Sequence, residues 1–223
     1  AEVSEARRSL LGDLPEDVLV LASVGGTDRD KGWLVLAQAL ARLPDGMKQR
    51  IRVVVAGDPP RGALRRDFEA LGVDSAVFFP GLVGRPERVL AAADSGFVLS
   101  FHEACSFAAC ESLSMGLPTL VSDAGGLPEV VRHGIDGWIV PAGDVDATEA
   151  WLMDRLAHPV PSGMPAAARA RAGGLRAAIE SETQRRMAMR KGRDAVADYA
   201  VPQLPENINF LSAGARSEEH TSE

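Results

Sequence analysis

The chain is poor in the features that would mark several functional classes. It has only two cysteines among 223 residues, Cys105 and Cys110. Their spacing of five is not a metal-ligand pattern, and a single predicted helix holding both does not bridge them. They read as small buried residues of a reducing compartment. Basic residues are in deficit: 24 Lys and Arg face 31 Asp and Glu, a formal charge of −7. That excludes the broad basic surface that nucleic-acid binding requires. No apolar run reaches membrane-spanning length, no secretory leader is visible and no repeat recurs. There is no initiating Met either. The chain opens on Ala1, which reads as a piece of something longer.

What is there is an ordinary globular composition, 46% hydrophobic and 25% charged, enough for one sizeable core. "DVLVLASVGG" (17–26) and "IRVVVAGDPP" (51–60) are continuous apolar runs closed by glycine or proline, the pattern of buried parallel strands. Shorter strands are expected at "AVFFPG" (76–81), "GFVLS" (96–100), "LPTLVSD" (117–123) and "GWIVP" (137–141). Between them lie helical spacings: 32–44, 61–72, 85–94 with Pro86 in its first turn, a helix starting near Phe107, and 144–158 opened by acidic residues. Alternating strands and helix-length crossovers imply an α/β fold, a doubly wound parallel sheet with helices on both faces. Ligands in such sheets bind where the strands' carboxyl ends enter their loops, here after residues 24, 56, 79, 100 and 122. From about 159 the composition turns to Pro, Gly and Ala, followed by a charged helix. The 159–215 segment is open to three readings: a helix docking back on the domain, a crossover, or a damaged reading frame.

"FHEACSFAACESLSMGLP" (101–118) places Glu103 before the helix and Glu111 eight positions later, inside it. If Ser106 caps this helix, the N–H groups of residues 106 to 109 face the loop as an anion site. Glu111 then lies about 7 Å along the axis at 1.5 Å per residue. One carboxylate can serve the sugar of a nucleoside diphosphate-sugar and the other its ribose, with phosphates between. Taken alone, the plainer alternative of two surface glutamates is preferred. "DAGGLPEVV" (123–131) follows the next strand, and its Gly125 and Gly126 let backbone come close to a ligand or simply make a turn. "HGIDGWIVPAGD" (133–144) completes the series.

In this order and spacing, the Glu103…Glu111 pair, "SMGLP", "GGLPEVV" and "DGWIVPAGD" resemble the C-terminal, Rossmann-like donor-binding domain of GT-B-fold retaining glycosyltransferases, family 4. The resemblance covers residues 17 to 158. It implies transfer of a sugar from a nucleotide-diphosphate-sugar to an acceptor hydroxyl by front-face attack, as in polysaccharide or glycolipid synthesis. Under it Glu103 orients the sugar and Glu111 the ribose. Lys31, followed by Gly32, matches the lysine that contacts donor phosphate, and Gly81 and Leu82 match the loop that receives the base. Ser106 and Phe107 at the helix start, with Gly26, Gly125 and Gly126, complete the donor-binding set.

Two departures stand out. Many members carry Arg five positions before the lysine, where this chain has Gly26; Arg29 is a substitute to consider. The usual Gly-Phe-Gly after the first Glu is Ala104-Cys105-Ser106. "DRD" (28–30) imitates a metal-binding Asp-x-Asp of another architecture and reads as solvated loop. His102 reads as a packing or capping residue, His133 as structural, and Trp33 and Trp138 as core. The resemblance further implies no metal or other cofactor, no nucleic-acid partner and a cytoplasmic enzyme, with peripheral association at the inner membrane face left open. The carbohydrate or glycolipid acceptor would bind a missing N-terminal domain, with residues 1–16 as the lead-in from it, so this piece alone would bind donor without turnover. The rival readings are a non-hydrolysing nucleotide-sugar epimerase, for which no acid/base set is visible, and a non-catalytic nucleotide-binding module. The last residues, "RSEEHTSE" (216–223), resemble the translation of a short-read sequencing adapter and are set aside.

Overall fold

The computed structural model describes residues 2 to 191. The 216–223 tail and the later part of the 159–215 segment lie outside the described residues. In chain order the elements are α1 (Glu2–Leu11), β1 (Leu19–Ser23), α2 (Trp33–Arg42), α3 (Asp45–Lys48), β2 (Ile51–Val55), α4 (Gly62–Glu69), β3 (Val77–Phe78), α5 (Pro86–Ala91), β4 (Ser95–Val98), α6 (Phe107–Ser114), β5 (Thr119–Ser122), α7 (Leu127–Val130), β6 (Gly137–Val140), α8 (Val145–Ala157) and α9 (Met164–Lys191). The strands form one parallel sheet in the order β3-β2-β1-β4-β5-β6. This is the doubly wound α/β arrangement that the alternation predicts. The helices that the sequence pattern does not single out are α1 and the single-turn α3 and α7, the last two too short for a period to register.

The central strands are apolar on both faces because helices cover both. On one face Leu21, Val53, Val55 and Phe97 pack with α2, with Phe68 of α4 and with Trp151 and Leu152 of α8. On the other, Val20, Ala22 and Val54 meet Val89 and Leu90 of α5, and Leu10 and Leu11 of α1 join them. Beside this cluster Val98 and Val121 meet Ala109 and Leu113 of α6 and Leu127 of α7. Trp33 and Trp138 are core, 2% and 8% exposed. Trp33 meets Phe68 and Phe79 edge-on, and its indole donates to the Thr27 carbonyl at 2.6 Å.

Residues 1 to 175 form one unit. At its start, Arg7 reaches Asp94 at 2.7 Å and the Ala92 carbonyl at 3.0 Å, and the other Asp94 oxygen accepts from Val20 N–H at 2.8 Å. At its end, Ala168, Ala172 and Leu175 of α9 pack with α6 and α7. Arg171 donates to the carbonyls of Val130, at 3.0 Å, and Glu129, satisfying acceptors that the end of α7 leaves open. The unit that begins at Arg176 is helical as far as Lys191, with Arg176 paired to Glu180 at 2.8 Å.

Candidate functional site

The sheet order sets the place of the site. From β1 the chain steps outward to β2 and β3, then returns to lay β4 on the other flank of β1. Loops leaving β1 and β4 therefore diverge, and the crevice between them opens at the carboxyl ends of the strands. Lys31 stands on the first loop, in a 3-10 turn over Arg29–Lys31. Glu103 stands on the second. Their side chains meet across the crevice, Nζ to Oε2 at 3.9 Å, with Glu103 15% exposed and Lys31 39%. The two loops are also tied directly, Phe101 N–H donating to the Asp30 carbonyl at 2.9 Å. Gly32 is what allows this approach. Its φ is +66°, and a Cβ there would lie 1.8 Å from the Leu99 carbonyl oxygen, so no other residue fits without moving the loop.

The loops after β1, β2 and β3 are stacked through glycines. Gly26 N–H donates to the Ala56 carbonyl at 3.2 Å, and Gly57 N–H to Gly81 at 3.0 Å. A Cβ on Gly57 would come within 2.8 Å of the Gly26 Cα. Gly26 and Gly81 thus belong to one ledge beside the crevice, and Leu82 stands on it 84% exposed, an apolar side chain with its surface open.

Helix α6 points its N-terminus at the crevice. Ser106 caps it: its backbone is extended and its hydroxyl accepts from Ala109 N–H at 3.3 Å. That bond removes one of the four N–H groups expected to face the loop. Ser106 is 1% exposed, so the structure gives it a capping role from a buried position. Phe107, the first helical residue, is 52% exposed. Gly125 and Gly126 pack against the Glu103 loop itself. Gly126 N–H donates to the Glu103 carbonyl at 2.8 Å. A Cβ on Gly125 would sit 2.0 Å from that oxygen, and one on Gly126 2.4 Å from the Ala104 carbonyl. Their lack of side chain serves the seating of Glu103.

Glu111 lies further along α6 in a different setting. One carboxylate oxygen is buried and, among the described residues, has no hydrogen-bond partner. Burial first, and then the charge of Glu87 at the start of α5, pushes its carboxyl up to about 7. Glu87 goes the other way. Partial burial works to raise it, but hydrogen bonds from Arg85 and its own backbone, with the charges of Arg85 and Arg88, hold it below the ordinary carboxylate value. Arg85 Nε donates to Glu87 at 2.6 Å.

Several sequence expectations are corrected here. Cys105 is exposed and precedes α6, and Cys110 is half-buried within it, so the pair is neither fully buried nor inside one helix. His102 is exposed, with no packing role of the kind expected. Arg29, in the same 3-10 turn as Lys31, pairs with Asp67 of α4 through an exposed side chain. His133 is structural: its Nδ1 accepts from Ile139 N–H at 3.0 Å. Asp28, Asp30 and Arg29 are exposed, as a solvated loop requires. Among the described residues no cluster of three or more His, Cys, Asp or Glu is arranged to hold a metal, and no helix is long and apolar enough to cross a membrane. One residue escaped the sequence reading: Glu87 looks like an ordinary first-turn carboxylate, and only the shared face of α5 and α6 brings its charge to Glu111. Asp123, which opens "DAGGLPEVV", accepts from Ala142 N–H at 2.8 Å.

The model of the family described as "Glycosyl transferases group 1" matches residues 18–157. The D-inositol 3-phosphate glycosyltransferase of Actinosynnema mirum is 37% identical over 164 residues, covering 69% of this chain and 39% of that protein. The solved sucrose-phosphate synthase of Thermosynechococcus elongatus superposes with a TM-score of 0.70 at 27% identity, over 84% of this chain and 49% of that one. Anabaena Alr3699/HepE, solved with UDP and glucose, has a TM-score of 0.68 at 22% identity over 78% of this chain and 47% of that one, a likeness of fold. The chain spans about two fifths of the length of the curated relatives it matches.

Proposed function

From the premise that the chain belongs to the glycosyl transferases group 1 family, we propose that it is the nucleotide-sugar-binding part of a retaining glycosyltransferase. The observation that carries the proposal is the arrangement around the N-terminus of α6. Lys31 and Glu103 meet at 3.9 Å on the lip of the crevice. A buried, unpartnered Glu111 oxygen waits within the helix. A diphosphate laid across the helix start would meet partial positive charge there and the Lys31 ammonium beside it. That is charge placed to stabilise a departing diphosphate. Glu103, already held by the Gly126 amide through its own carbonyl, would accept from sugar hydroxyls. Glu111 would accept from the ribose, and the ledge of Gly26, Gly81 and exposed Leu82 would take the base.

Of these residues, Glu103 and Glu111 are among those on which the family resemblance rests, and Lys31, Gly81 and Leu82 match the family's loops; Gly26 stands where many members carry Arg. Transfer itself needs an acceptor, a carbohydrate or glycolipid, and the proposal gives its binding to a part of the full-length protein beyond this chain. It places the reaction in the cytoplasm, with the full-length protein at the inner membrane face when the acceptor is a lipid. No metal enters the proposed step. Titration calorimetry of the chain with UDP, GDP and ADP, and then with their sugar conjugates, tests the donor half. Binding of one base series in the micromolar to millimolar range, unchanged by a chelator, is expected. Absence of binding to every member would remove the reading.

A further inference from the structure

Helix α7 is a single turn, Leu127–Val130, and its cap residue Gly126 carries the amide that seats Glu103. An isolated turn is unstable, because nucleation fixes several dihedrals for one hydrogen bond. Its last carbonyls also lack partners within the turn. Two supports from outside make up for this. Leu127 and Val130 are buried in the cluster that holds Ala109 and Leu113 of α6. Arg171 of α9 takes the carbonyls: Nε donates to Val130 at 3.0 Å, and a second guanidinium nitrogen donates to Glu129. From there the hydrogen bonds run in series. Glu129 N–H donates to the Gly126 carbonyl at 3.1 Å, and Gly126 N–H donates to the Glu103 carbonyl at 2.8 Å. A guanidinium on α9 is thus joined by consecutive hydrogen bonds to the backbone of Glu103.

A second arginine of α9 supplies a contrast. The helix turns Ala168, Ala172 and Leu175 toward α6 and α7, and Arg169 and Arg171 flank that stripe on opposite sides. Arg169 lies over Gly116, just past the end of α6: a Cβ on that glycine would come 2.1 Å from its guanidinium. Both arginines dock α9, and the series to Glu103 runs through Arg171.

We propose that Arg171 is a positioning residue for Glu103: by holding the end of α7 it fixes the amide that seats the Glu103 loop. A guanidinium suits the task because its planar fork reaches two neighbouring carbonyls at once, which an ammonium does not. The consequence for binding rests on the donor-binding reading, in which Glu103 meets the sugar. Loosening α7 then acts on the sugar end of the crevice. The Ser106 cap, at 3.3 Å within α6, and Glu111 stand outside the series, so the nucleoside diphosphate keeps its contacts.

The test compares Arg171→Ala, Arg171→Lys and Arg169→Ala in the full chain, first without ligand. Hydrogen exchange of the Gly126 amide, followed by NMR, should accelerate about tenfold in Arg171→Ala and less in Arg171→Lys, which keeps one bond. In Arg169→Ala it should stay within about threefold of the unsubstituted chain. Unchanged exchange in Arg171→Ala would overturn the positioning role. Equal acceleration in Arg169→Ala would overturn it too, by showing only that α9 has come loose. Calorimetry with UDP, GDP and ADP, and then with UDP-glucose, GDP-mannose and ADP-glucose, asks whether the series reaches the site. Arg171→Ala should bind the nucleotide-sugar about tenfold more weakly and the nucleoside diphosphate within about threefold of the unsubstituted chain. In a Glu103→Gln background the same substitution should weaken nucleotide-sugar binding by less than about twofold further, because a residue that acts through the Glu103 carboxylate has lost its target. Additive losses, equal loss of both ligands, or faster exchange with no change in either ligand would each overturn the link to the site. Should Arg171→Ala fail to fold in urea melts, Arg171→Lys carries the same comparisons at about threefold. If the unsubstituted chain binds no nucleotide, the donor reading fails by itself, and Gly126 exchange still decides whether Arg171 holds the Glu103 backbone.

Discussion

The two glutamates that bracket the start of α6 live in opposite settings. Glu103 has a cation 3.9 Å away and a backbone clasped by glycine. Glu111 has a buried oxygen with no partner among the described residues and a second carboxylate, Glu87, as its electrostatic neighbour. The first end of the crevice is satisfied without ligand, and the second is not. A buried carboxylate oxygen left unbonded costs on the order of 1–3 kcal/mol. Under the proposed reading, that cost is recovered when a ligand supplies the missing bond. The two ends would then recognise their ligand by different physics: Glu111 would gain bonds to the ribose on binding, whereas Glu103 would exchange its existing contact with Lys31 for new ones to the sugar.

The most damaging way to break the comparison is Gly125→Ala. The added Cβ would lie 2.0 Å from the Glu103 carbonyl oxygen on backbone at φ +52°. Relief requires the Glu103 loop to move, at a cost on the order of 2–4 kcal/mol. Urea melts should report that loss. Nucleotide-sugar binding should fall while nucleoside diphosphate binding survives, because α6 and Glu111 do not depend on this contact. Equal loss of both ligands would show that the two ends are not separable.

Next in size is Glu111→Gln. The amide keeps one good acceptor where the carboxylate offered two, so nucleoside diphosphate affinity should drop roughly ten- to a hundredfold above neutral pH. The pH dependence follows from the raised carboxyl, about 7 when folded against an ordinary value of 4.5. If the ionised form binds ribose, affinity should rise about tenfold between about pH 6 and 8 and then level off. The variant should lose that rise and keep only the slope of the ligand's own phosphate. Stability runs the other way. Because the fold raises this carboxyl, its contribution is full below the unfolded value and is lost as pH climbs through about 7. The permanently neutral Gln should therefore stabilise the ligand-free protein near pH 8, by on the order of 1 kcal/mol once solvent screening of a half-buried group is allowed for, and hardly at all near pH 4.

Glu103→Gln should be milder for the free protein. The Lys31–Glu103 contact is long and partly exposed, so it contributes at most about 1 kcal/mol, and melts should barely move. Calorimetry should show nucleoside diphosphate binding unchanged within about threefold and nucleotide-sugar binding weakened about tenfold. A variant that weakens both equally would place Glu103 on the phosphates instead of the sugar.

Much of this contrast is legible in the order of the residues alone. The alternation of apolar runs and helical spacings implies a parallel sheet, and that sheet places Lys31 and Glu103 on loops at carboxyl ends. Ser106 before a small-residue helix reads as a cap, and caps. What escapes is what depends on three-dimensional neighbours. The glycines of "AGGLP" carry no sign of whether they serve ligand or loop, and here they serve the Glu103 carbonyl. Cys105 and Cys110 read as one buried helical pair, but the helix boundary lies between them, and that small displacement exposes the first. Glu87 is unreadable because its effect on Glu111 passes between two helices that share a sheet face, a relation that spacing does not encode.

That last residue gives the smallest and sharpest test. Glu87 adds its charge to the burial that raises Glu111, while Arg85, hydrogen-bonded at 2.6 Å, keeps Glu87 ionised at neutral pH. Glu87→Gln removes the charge and keeps the shape. Burial, the larger cause, remains, so the Glu111 carboxyl should stay above the ordinary value but fall from about 7. The midpoint of the affinity-versus-pH curve should move to lower pH, and the plateau above neutrality should be unchanged within about twofold, since both proteins are fully ionised there. At about pH 6 the variant should therefore bind nucleoside diphosphate more tightly than the unsubstituted chain, by a few-fold at most. Carbon-13 NMR of the labelled glutamate carboxyls would follow the same shift without ligand. If the midpoint stays in place in both measurements, Glu111 is raised by burial alone, and the contrast between the two ends of the crevice is one of solvation rather than of charge.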